Sequence, residues 1–131
     1  MVRATEIMVG DWLWYQGQFN AFPLKVEQVT KRKVGYHADS NENRMYYLRL
    51  HEVQPIPITP EILERNGFEK VQNLLVLQWE NGVYPSMIFV EYNPENYCLF
   101  INDMMFPKPV RFLHELHHIL MDCGIEKEIK L

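Results

Sequence analysis

The chain has 131 residues, of which 47% are hydrophobic and 23% are charged, and its formal net charge is −4. This composition is that of an ordinary globular protein, and the 13% aromatic content argues against a disordered chain. The length fits one domain over residues 1–131, or two small lobes that share a core. The acidic balance argues against a dedicated nucleic-acid-binding protein, which usually carries a basic face or a high pI.

No apolar run reaches the roughly 18–20 residues that a membrane-spanning helix needs. The first residues, MVRATE, contain no apolar signal segment. We therefore expect a cytoplasmic protein with no membrane partner. Cys98 and Cys123 form no Cys-x-x-Cys motif, which excludes a zinc ribbon. We expect two small, buried thiols, although a disulfide between them stays open.

The N-terminal part is typical of β structure. In EIMVGDWLWYQG, the turn residues Gly10 and Asp11 separate two apolar stretches. Farther along, Leu24 and Val26 alternate with polar residues, which predicts a half-buried strand. The aromatic residues of this region should lie mainly in the core, although a few rings could form a binding surface. They are Trp12, Trp14, Tyr15, Phe19 and Phe22.

Two polar segments interrupt the remaining strands of this region. The basic residues Lys31, Arg32 and Lys33 are predicted to lie at a hairpin turn in solvent, and DSNENR is predicted to form a loop. The strand within MYYLRLHEVQPIPI should end near Gln54, because proline cannot donate to a β-ladder. Residues 1–58 are therefore predicted to form an SH3-like small barrel or bent antiparallel sheet.

The central connector predicts a short helix over residues 60–66. Thr59 is a good N-cap and Pro60 suits the first helical position. Asn66 and Gly67 supply the left-handed stop. The segments NLLVLQW, SMIFVEY and YCLFIND then predict a three-stranded meander, because turn-rich sequences separate them.

A C-terminal amphipathic helix is predicted from about Pro109 to Cys123, with Gly124 as its stop. Residues 59–131 thus hold a helix, a meander and a second helix, and the fold class is α+β. At about 100 degrees per residue, one apolar stripe faces the core. It consists of Phe112, Leu116, Ile119, Leu120 and Cys123. His114 and His118 fall nearly opposite that stripe, so we expect both imidazoles in solvent.

The segment His114-Glu115-Leu116-His117-His118 spells HExxH, the helical zinc signature of metallopeptidases. The i, i+4 spacing can place His114 and His118 on one metal, with Glu115 as general base. However, no histidine follows His118, and Gly124 comes too late for the metzincin extension. We therefore predict no metal, cofactor or catalytic site. A zinc-dependent hydrolase that uses this motif stays as an alternative.

Other catalytic arrangements are weaker. The chain has no phosphate-binding glycine loop and no serine in a nucleophile elbow. A thiol–imidazole pair between Cys123 and His117 or His118 conflicts with the place of Cys123 in the buried stripe. Asp103 is predicted to be a turn residue rather than an acid catalyst.

Three segments, EIMVGDWLWYQG, EVQPIPITPEILERNGFEK and RFLHELHHIL, resemble a group of small proteins of unknown function from Bacteroides-type gut bacteria, often associated with phage or other mobile elements. The resemblance spans most of the chain, and the connector is its most specific part. The matching connector positions are Pro55, Ile56, Pro57, Thr59, Pro60, Glu61, Ile62, Leu63, Asn66, Gly67 and Phe68. The group supplies no established activity. It often carries glutamine and another polar residue at the positions of His117 and His118, which favours an accidental HExxH.

These observations predict a non-enzymatic protein-interaction module of a bacterial mobile element or phage. Its protein partner and its oligomeric state are left open by the sequence. A second alternative is weak nucleic-acid binding through Lys31, Arg32, Lys33 and nearby aromatics, against which the net acidity counts.

Overall fold

The computed structural model describes residues 2–38, 43–77, 85–93, 96–125 and 127–131. The chain divides into two compact units, an N-terminal unit, Met1–Ile56, and a C-terminal unit, Pro57–Leu131. Antiparallel sheets and two α-helices make up the described structure, which agrees with the α+β class. In the ranges described, no helix combines the length and the apolar character needed to cross a bilayer.

The N-terminal unit consists of short strands. They are β1 (Trp12–Gln16), β2 (Ala21–Lys25), β3 (Gln28–Val29), β4 (Lys33–Tyr36), β5 (Tyr46–Arg49) and β6 (Val53–Pro55). They form two three-stranded antiparallel sheets, with strand orders β2-β1-β6 and β3-β4-β5. The described ladders do not close into a barrel, so the coarse prediction of short antiparallel strands holds without an SH3-like closure.

Apolar alternation explains the core of this unit. Leu24 and Val26 are buried, as the spacing predicts, and they join one cluster of aliphatic side chains. That cluster contains Val2, Ile7, Leu13, Leu24, Val26, Val34 and Val53. The predicted strand over MYYLRLHEV is interrupted by a 3₁₀ turn at Leu50–Glu52, and the chain leaves the sheet at Pro55, close to the predicted end. Part of the predicted DSNENR loop, residues 39–42, lies outside the described residues.

The predicted turn at Gly10 and Asp11 is confirmed, and the structure shows the backbone conformation and the hydrogen bonds that hold it. Gly10 has φ +96°, a conformation that glycine adopts without steric cost. The carboxylate of Asp11, which is fully buried, accepts a hydrogen bond from the Met8 N–H at 2.8 Å. The Asp11 carbonyl accepts from the Val26 N–H, also at 2.8 Å. The turn is thus tied to the end of β2.

The C-terminal unit contains one larger sheet and both helices. Its elements are α1 (Pro60–Arg65), β7 (Glu69–Val71), β8 (Leu74–Leu77), β9 (Met87–Asn93), β10 (Asn96–Ile101), β11 (Met104–Met105) and α2 (Leu113–Asp122). The sheet order is β11-β10-β9-β8-β7, and every neighbouring pair is antiparallel. The predicted three-stranded meander is therefore confirmed as β8-β9-β10, with a short strand added at each edge. Much of the predicted ENGVYP turn lies outside the described residues.

The helix signals around α1 are confirmed. The Thr59 hydroxyl accepts from the Ile62 N–H at 3.2 Å, and proline occupies the first helical turn. At the other end, Gly67 has φ +95°. The Phe68 N–H donates to the Leu63 carbonyl at 3.1 Å, the hydrogen bond of a Schellman motif.

The predicted start of the C-terminal helix is wrong, because α2 begins at Leu113 rather than near Pro109. Val110 and Tyr97 form an isolated antiparallel bridge, with N···O distances of 2.8 and 3.2 Å. The backbone at Val110 is therefore extended and cannot enter a helix. The predicted stop is confirmed, since Gly124 has φ +73° and the Ile125 N–H donates to the Leu120 carbonyl at 2.8 Å.

A buried amide fixes the C-terminal tail. Asn66, only 5% exposed, donates through Nδ2 to the carbonyls of Ile62 at 2.8 Å and Lys130 at 2.7 Å. Its Oδ1 accepts from the Lys130 N–H at 2.7 Å. The side chain therefore pairs with residue 130 much as a neighbouring strand would. Ile125 and Ile129, which precede Lys130 in the tail, are buried.

Candidate functional site

The two histidines of the HExxH segment do not both lie in solvent, so that prediction is wrong. His114 is only 6% exposed and His118 is half-buried. Because α2 starts at Leu113, His114 lies in its first turn, where the Phe112 ring stacks on it with centroids 5.9 Å apart and planes 12° apart. The His114 and His118 rings meet edge to face at 5.8 Å. The predicted core stripe is confirmed at Leu116, Ile119 and Leu120.

The carboxylate of the same segment has a structural partner. Glu115 Oε1 accepts hydrogen bonds from the Phe112 N–H at 2.9 Å and from the Arg111 N–H at 3.1 Å. These are backbone donors at the start of α2, so Glu115 performs one half of a capping box. A general base must face the water that it activates. This carboxylate instead faces the main chain of its own helix.

The remaining predicted groups are placed as follows. Asp103 has φ +67° in the two-residue turn between β10 and β11, which confirms it as a turn residue. Cys98 and Cys123 are free thiols, and both are half-buried rather than buried as predicted. Burial raises the pKa of the Cys123 thiol, and the neighbouring Asp122 carboxylate raises it further. A thiol with a raised pKa is a poor nucleophile at neutral pH.

A recess of about 620 Å³ lies in the C-terminal unit along β8 and β9. Its lining includes a lysine, Lys70, and a glutamate, Glu91, together with apolar side chains and Tyr97. Burial, followed by the charges of Glu91 and Glu61, raises the pKa of the Tyr97 hydroxyl. This mixture of charges favours no single class of ligand.

The basic triplet predicted at a turn is confirmed there. Lys31 and Arg32 form the loop between β3 and β4. Thr30 closes the loop, since its hydroxyl oxygen accepts from the Lys33 N–H at 3.0 Å and its own N–H donates to the Lys33 carbonyl at 2.9 Å. A threonine hydroxyl that bonds the local backbone is a common way to rigidify a tight turn. Both basic side chains are exposed.

One further backbone hydrogen bond brings a second segment beside this turn. The Leu50 N–H, in the 3₁₀ turn that follows β5, donates to the Arg32 carbonyl at 3.0 Å. A recess of about 530 Å³ forms between the two segments. It is lined by Lys31, Arg32, Lys33, Arg49, Leu50 and His51, and we call it the cationic recess.

The strand register concentrates positive charge in the recess. Lys33 on β4 lies directly opposite Arg49 on β5, and both side chains are exposed. Like charges directly opposite one another destabilise a sheet, whereas an anion between them would be attracted by both. His51 adds an imidazole whose Nε2 lies 4.0 Å from Glu52 Oε1.

The two units differ in charge. The N-terminal unit has seven lysines and arginines against six acidic residues, and the C-terminal unit has six against eleven. Their formal net charges are therefore +1 and −5. The whole-chain value of −4 therefore does not describe the N-terminal unit, in which four of the seven lysines and arginines line one recess.

An exposed aromatic ring lies on the same sheet face as Arg49. Tyr47 is two residues before Arg49 on β5, so both side chains project to one side. The Tyr47 hydroxyl donates to Gln28 Oε1 at 2.9 Å. Opposite Tyr47 is Gly35, and a Cβ there would approach Tyr47 Cε1 to 3.1 Å, so the ring lies close over the glycine. The Tyr47 side chain is nevertheless 50% exposed.

The predicted aromatic group is only partly in the core. Tyr15 and Phe22 pack against the N-terminal core, with ring centroids 5.0 Å apart, whereas Phe19 is 92% exposed at the β1–β2 turn. Arg49, His51 and Tyr47 were not singled out by sequence reasoning. Strand alternation along β5 could have placed Tyr47 and Arg49 on one face, but the pairing of that strand with the basic turn has no local signal.

A scan of the sequence against protein-family models gives no matching family, and searches among curated proteins and solved structures likewise find no match. Function is therefore inferred from the chemistry of the described residues.

Proposed function

We propose that this chain is a non-enzymatic interaction module that binds a polyanionic partner at the cationic recess. The observation that carries the proposal is the convergence of Arg49 and His51 on the basic turn, which no local sequence feature requires. Exposed lysine and arginine side chains grouped around one recess attract anions from solution and retain a multiply charged one.

The geometry of α2 supports the non-enzymatic part of the proposal. A zinc hydrolase would need the Glu115 carboxylate turned towards a metal-bound water. Glu115 caps the helix instead, through hydrogen bonds of 2.9 and 3.1 Å. Losing that cap would cost folding stability, so the two roles compete for one carboxylate.

The experiment is a titration with a fluorescently labelled polyanion, using heparin and inorganic polyphosphate as probes. We expect binding that weakens steeply between about 50 mM and 200 mM salt, because bound counterions are released. Arg49→Glu and Lys33→Glu should each abolish most of the binding. Lys108→Glu is the matched control, because it makes the same charge change at an exposed lysine of the C-terminal unit.

The proposal fails if neither polyanion binds in a salt-dependent way. It also fails if Lys108→Glu weakens binding as much as Arg49→Glu, because the net charge alone would then explain the attraction. Circular dichroism of each variant checks that the fold is intact, which we expect because all three side chains are exposed.

A second candidate function is the docking of a protein segment on the sheet of the C-terminal unit. Met104 and Met105, on the edge strand β11, are 76% and 63% exposed. An exposed apolar edge strand can accept an extended peptide as an added strand, and methionine adapts to varied side chains. The occupant would be an extended apolar peptide of a partner protein.

This candidate can be tested with extended peptides selected from a displayed library against the whole protein. Met104→Lys should weaken the selected peptides, whereas Val71→Lys, on the opposite edge strand β7, should not. Peptides that are insensitive to Met104→Lys would contradict it.

The biological origin and the cellular location of the protein are part of the proposal. The resemblance of the connector around Thr59–Phe68 supports an origin in a Bacteroides-type phage or mobile element, and a cytoplasmic location accords with it. We further propose that the N-terminal unit is SH3-like in its general arrangement, as a bent antiparallel sheet rather than a closed barrel. The support is the succession of short strands and tight turns over β1–β6.

A further inference from the structure

Tyr47 provides a flat, fixed and accessible aromatic surface. Its hydroxyl is held by Gln28 at 2.9 Å, and Gly35 leaves room for the ring to lie close to the sheet. Although these contacts fix the position of the ring, Tyr47 is 50% exposed to solvent. A ring fixed in advance loses little conformational freedom when a planar ligand group stacks on it.

The cations adjoin this ring along the strand direction. Arg49 follows Tyr47 on the same face of β5, one side-chain repeat away, which is about 6.6 Å. Lys33 faces Arg49 across the ladder. A Cβ at Gly35 would meet the Met45 Sδ at 3.0 Å as well as the Tyr47 ring, so the thioether lies beside the ring. The outer face of β5 therefore runs from an aromatic ring to a pair of cations at the cationic recess.

We infer that the polyanion is a single-stranded polynucleotide, with one base stacked on Tyr47 and the adjoining phosphates at Lys33 and Arg49. The inference rests on the proposed polyanion binding at the cationic recess and names its partner. Proteins that bind single strands without reading sequence combine these two features, a positive groove for the backbone and aromatic rings for the bases.

The ring distinguishes a single strand from other polyanions. Bases of a duplex are already stacked on one another, and their faces are closed to Tyr47. Polyphosphate and heparin carry no planar base. Stacking is available to every base, so the site should bind single-stranded DNA and RNA with little preference for sequence. A polynucleotide also explains the exposed Tyr47 ring beside the cations, which a simple phosphate site would not use.

The experiment measures fluorescence anisotropy of labelled oligothymidylate and oligouridylate bound by the full chain. A duplex of equal length and inorganic polyphosphate serve as competitors. We expect the single strands to bind more tightly than the duplex. The logarithm of the association constant should fall with the logarithm of salt concentration by about 0.7 per phosphate neutralised, and Arg49→Gln should reduce that slope by about 0.7.

Two variants of the ring test the stacking. Tyr47→Leu should weaken oligonucleotide binding about tenfold, because one stacked base is lost, and should leave polyphosphate binding unchanged. Tyr47→Phe keeps the ring and should retain most of the affinity. Phe19→Leu is the matched control, because Phe19 is an even more exposed aromatic ring at the β1–β2 turn.

The outcomes separate this inference from the proposed function. If Tyr47→Leu binds oligonucleotides as the unaltered protein does, or if duplex and polyphosphate compete as well as single strands, the partner is not a single strand. Salt-dependent polyphosphate binding that is lost in Arg49→Glu would then leave the proposed function standing. If no polyanion binds, both the single-strand inference and the proposed function are wrong. Preference for one of the two single strands would identify its source as RNA or DNA without overturning the stacking.

Discussion

The N-terminal and C-terminal units differ in the regularity of their secondary structure and in the charge of the side chains that they expose. The N-terminal unit has strands of two to five residues, and an aliphatic cluster fills its core. On the outer face of β4 and β5 it leaves Lys33, Arg49 and the Tyr47 ring exposed. The C-terminal unit has a five-stranded sheet and helices that each end in a Schellman motif. Its regular structure is well capped, and its formal charge is negative. The capped helices and the larger sheet thus lie in the C-terminal unit, whereas the recess on which the proposed function rests lies in the N-terminal unit.

The core of the C-terminal unit gives the largest expected effect. Phe89 is fully buried on β9 and meets the rings of Phe68 and Tyr97 at centroid distances of 5.2 and 5.9 Å. Phe89→Ala should lower the free energy of unfolding by about 3–5 kcal/mol, because it removes a buried ring and leaves a cavity. Urea denaturation measures the loss. Val71→Ala, at a half-exposed edge position, should change it by less than about 0.5 kcal/mol.

The Asn66 clamp should give the next largest effect. Asn66→Ala removes three hydrogen bonds and leaves the main-chain groups of Lys130 without the amide that pairs with them. We expect a loss of about 1–3 kcal/mol in unfolding free energy. Hydrogen exchange at the Lys130 amide should accelerate more than exchange in β9. Equal acceleration at both places would show that Asn66 supports the whole unit rather than the tail.

The capping role of Glu115 predicts a smaller change. Glu115→Ala should lower the unfolding free energy by about 1 kcal/mol, because two backbone donors at the start of α2 lose their acceptor. Glu115→Gln keeps an acceptor oxygen and should lose less. Thermal unfolding followed by circular dichroism distinguishes the two variants. An unchanged midpoint in Glu115→Ala would contradict the cap and reopen a catalytic role.

The thiol of Cys123 gives the smallest expected effect, on rate rather than on stability. Because burial and Asp122 raise its pKa, the neutral thiol persists to higher pH and alkylation near neutral pH should be slow. The rate of reaction with iodoacetamide, measured in a Cys98→Ser background, should rise as the pH approaches that raised pKa. Asp122→Asn should shift the profile modestly to lower pH. A shift in the opposite direction would exclude the carboxylate as a cause.

The sequence by itself determined most of the helix ends and the turns between strands. Thr59, Pro60 and Gly67 define the ends of α1, and Gly124 ends α2, because capping depends on a few neighbouring residues. The meander followed from apolar runs between turns. The start of α2 did not follow, since the extended pairing of Val110 with the distant Tyr97 overrides the local helix signal.

Only the tertiary structure decided the candidate site. The basic turn was visible in the sequence, but its pairing with Arg49 and its bond to Leu50 depend on strand register between separate segments. Likewise, the helical wheel placed His114 in solvent, whereas the structure buries it beside Phe112. Caps and turns are set by interactions among adjacent residues, whereas a recess is set by contacts between residues that are remote in the chain.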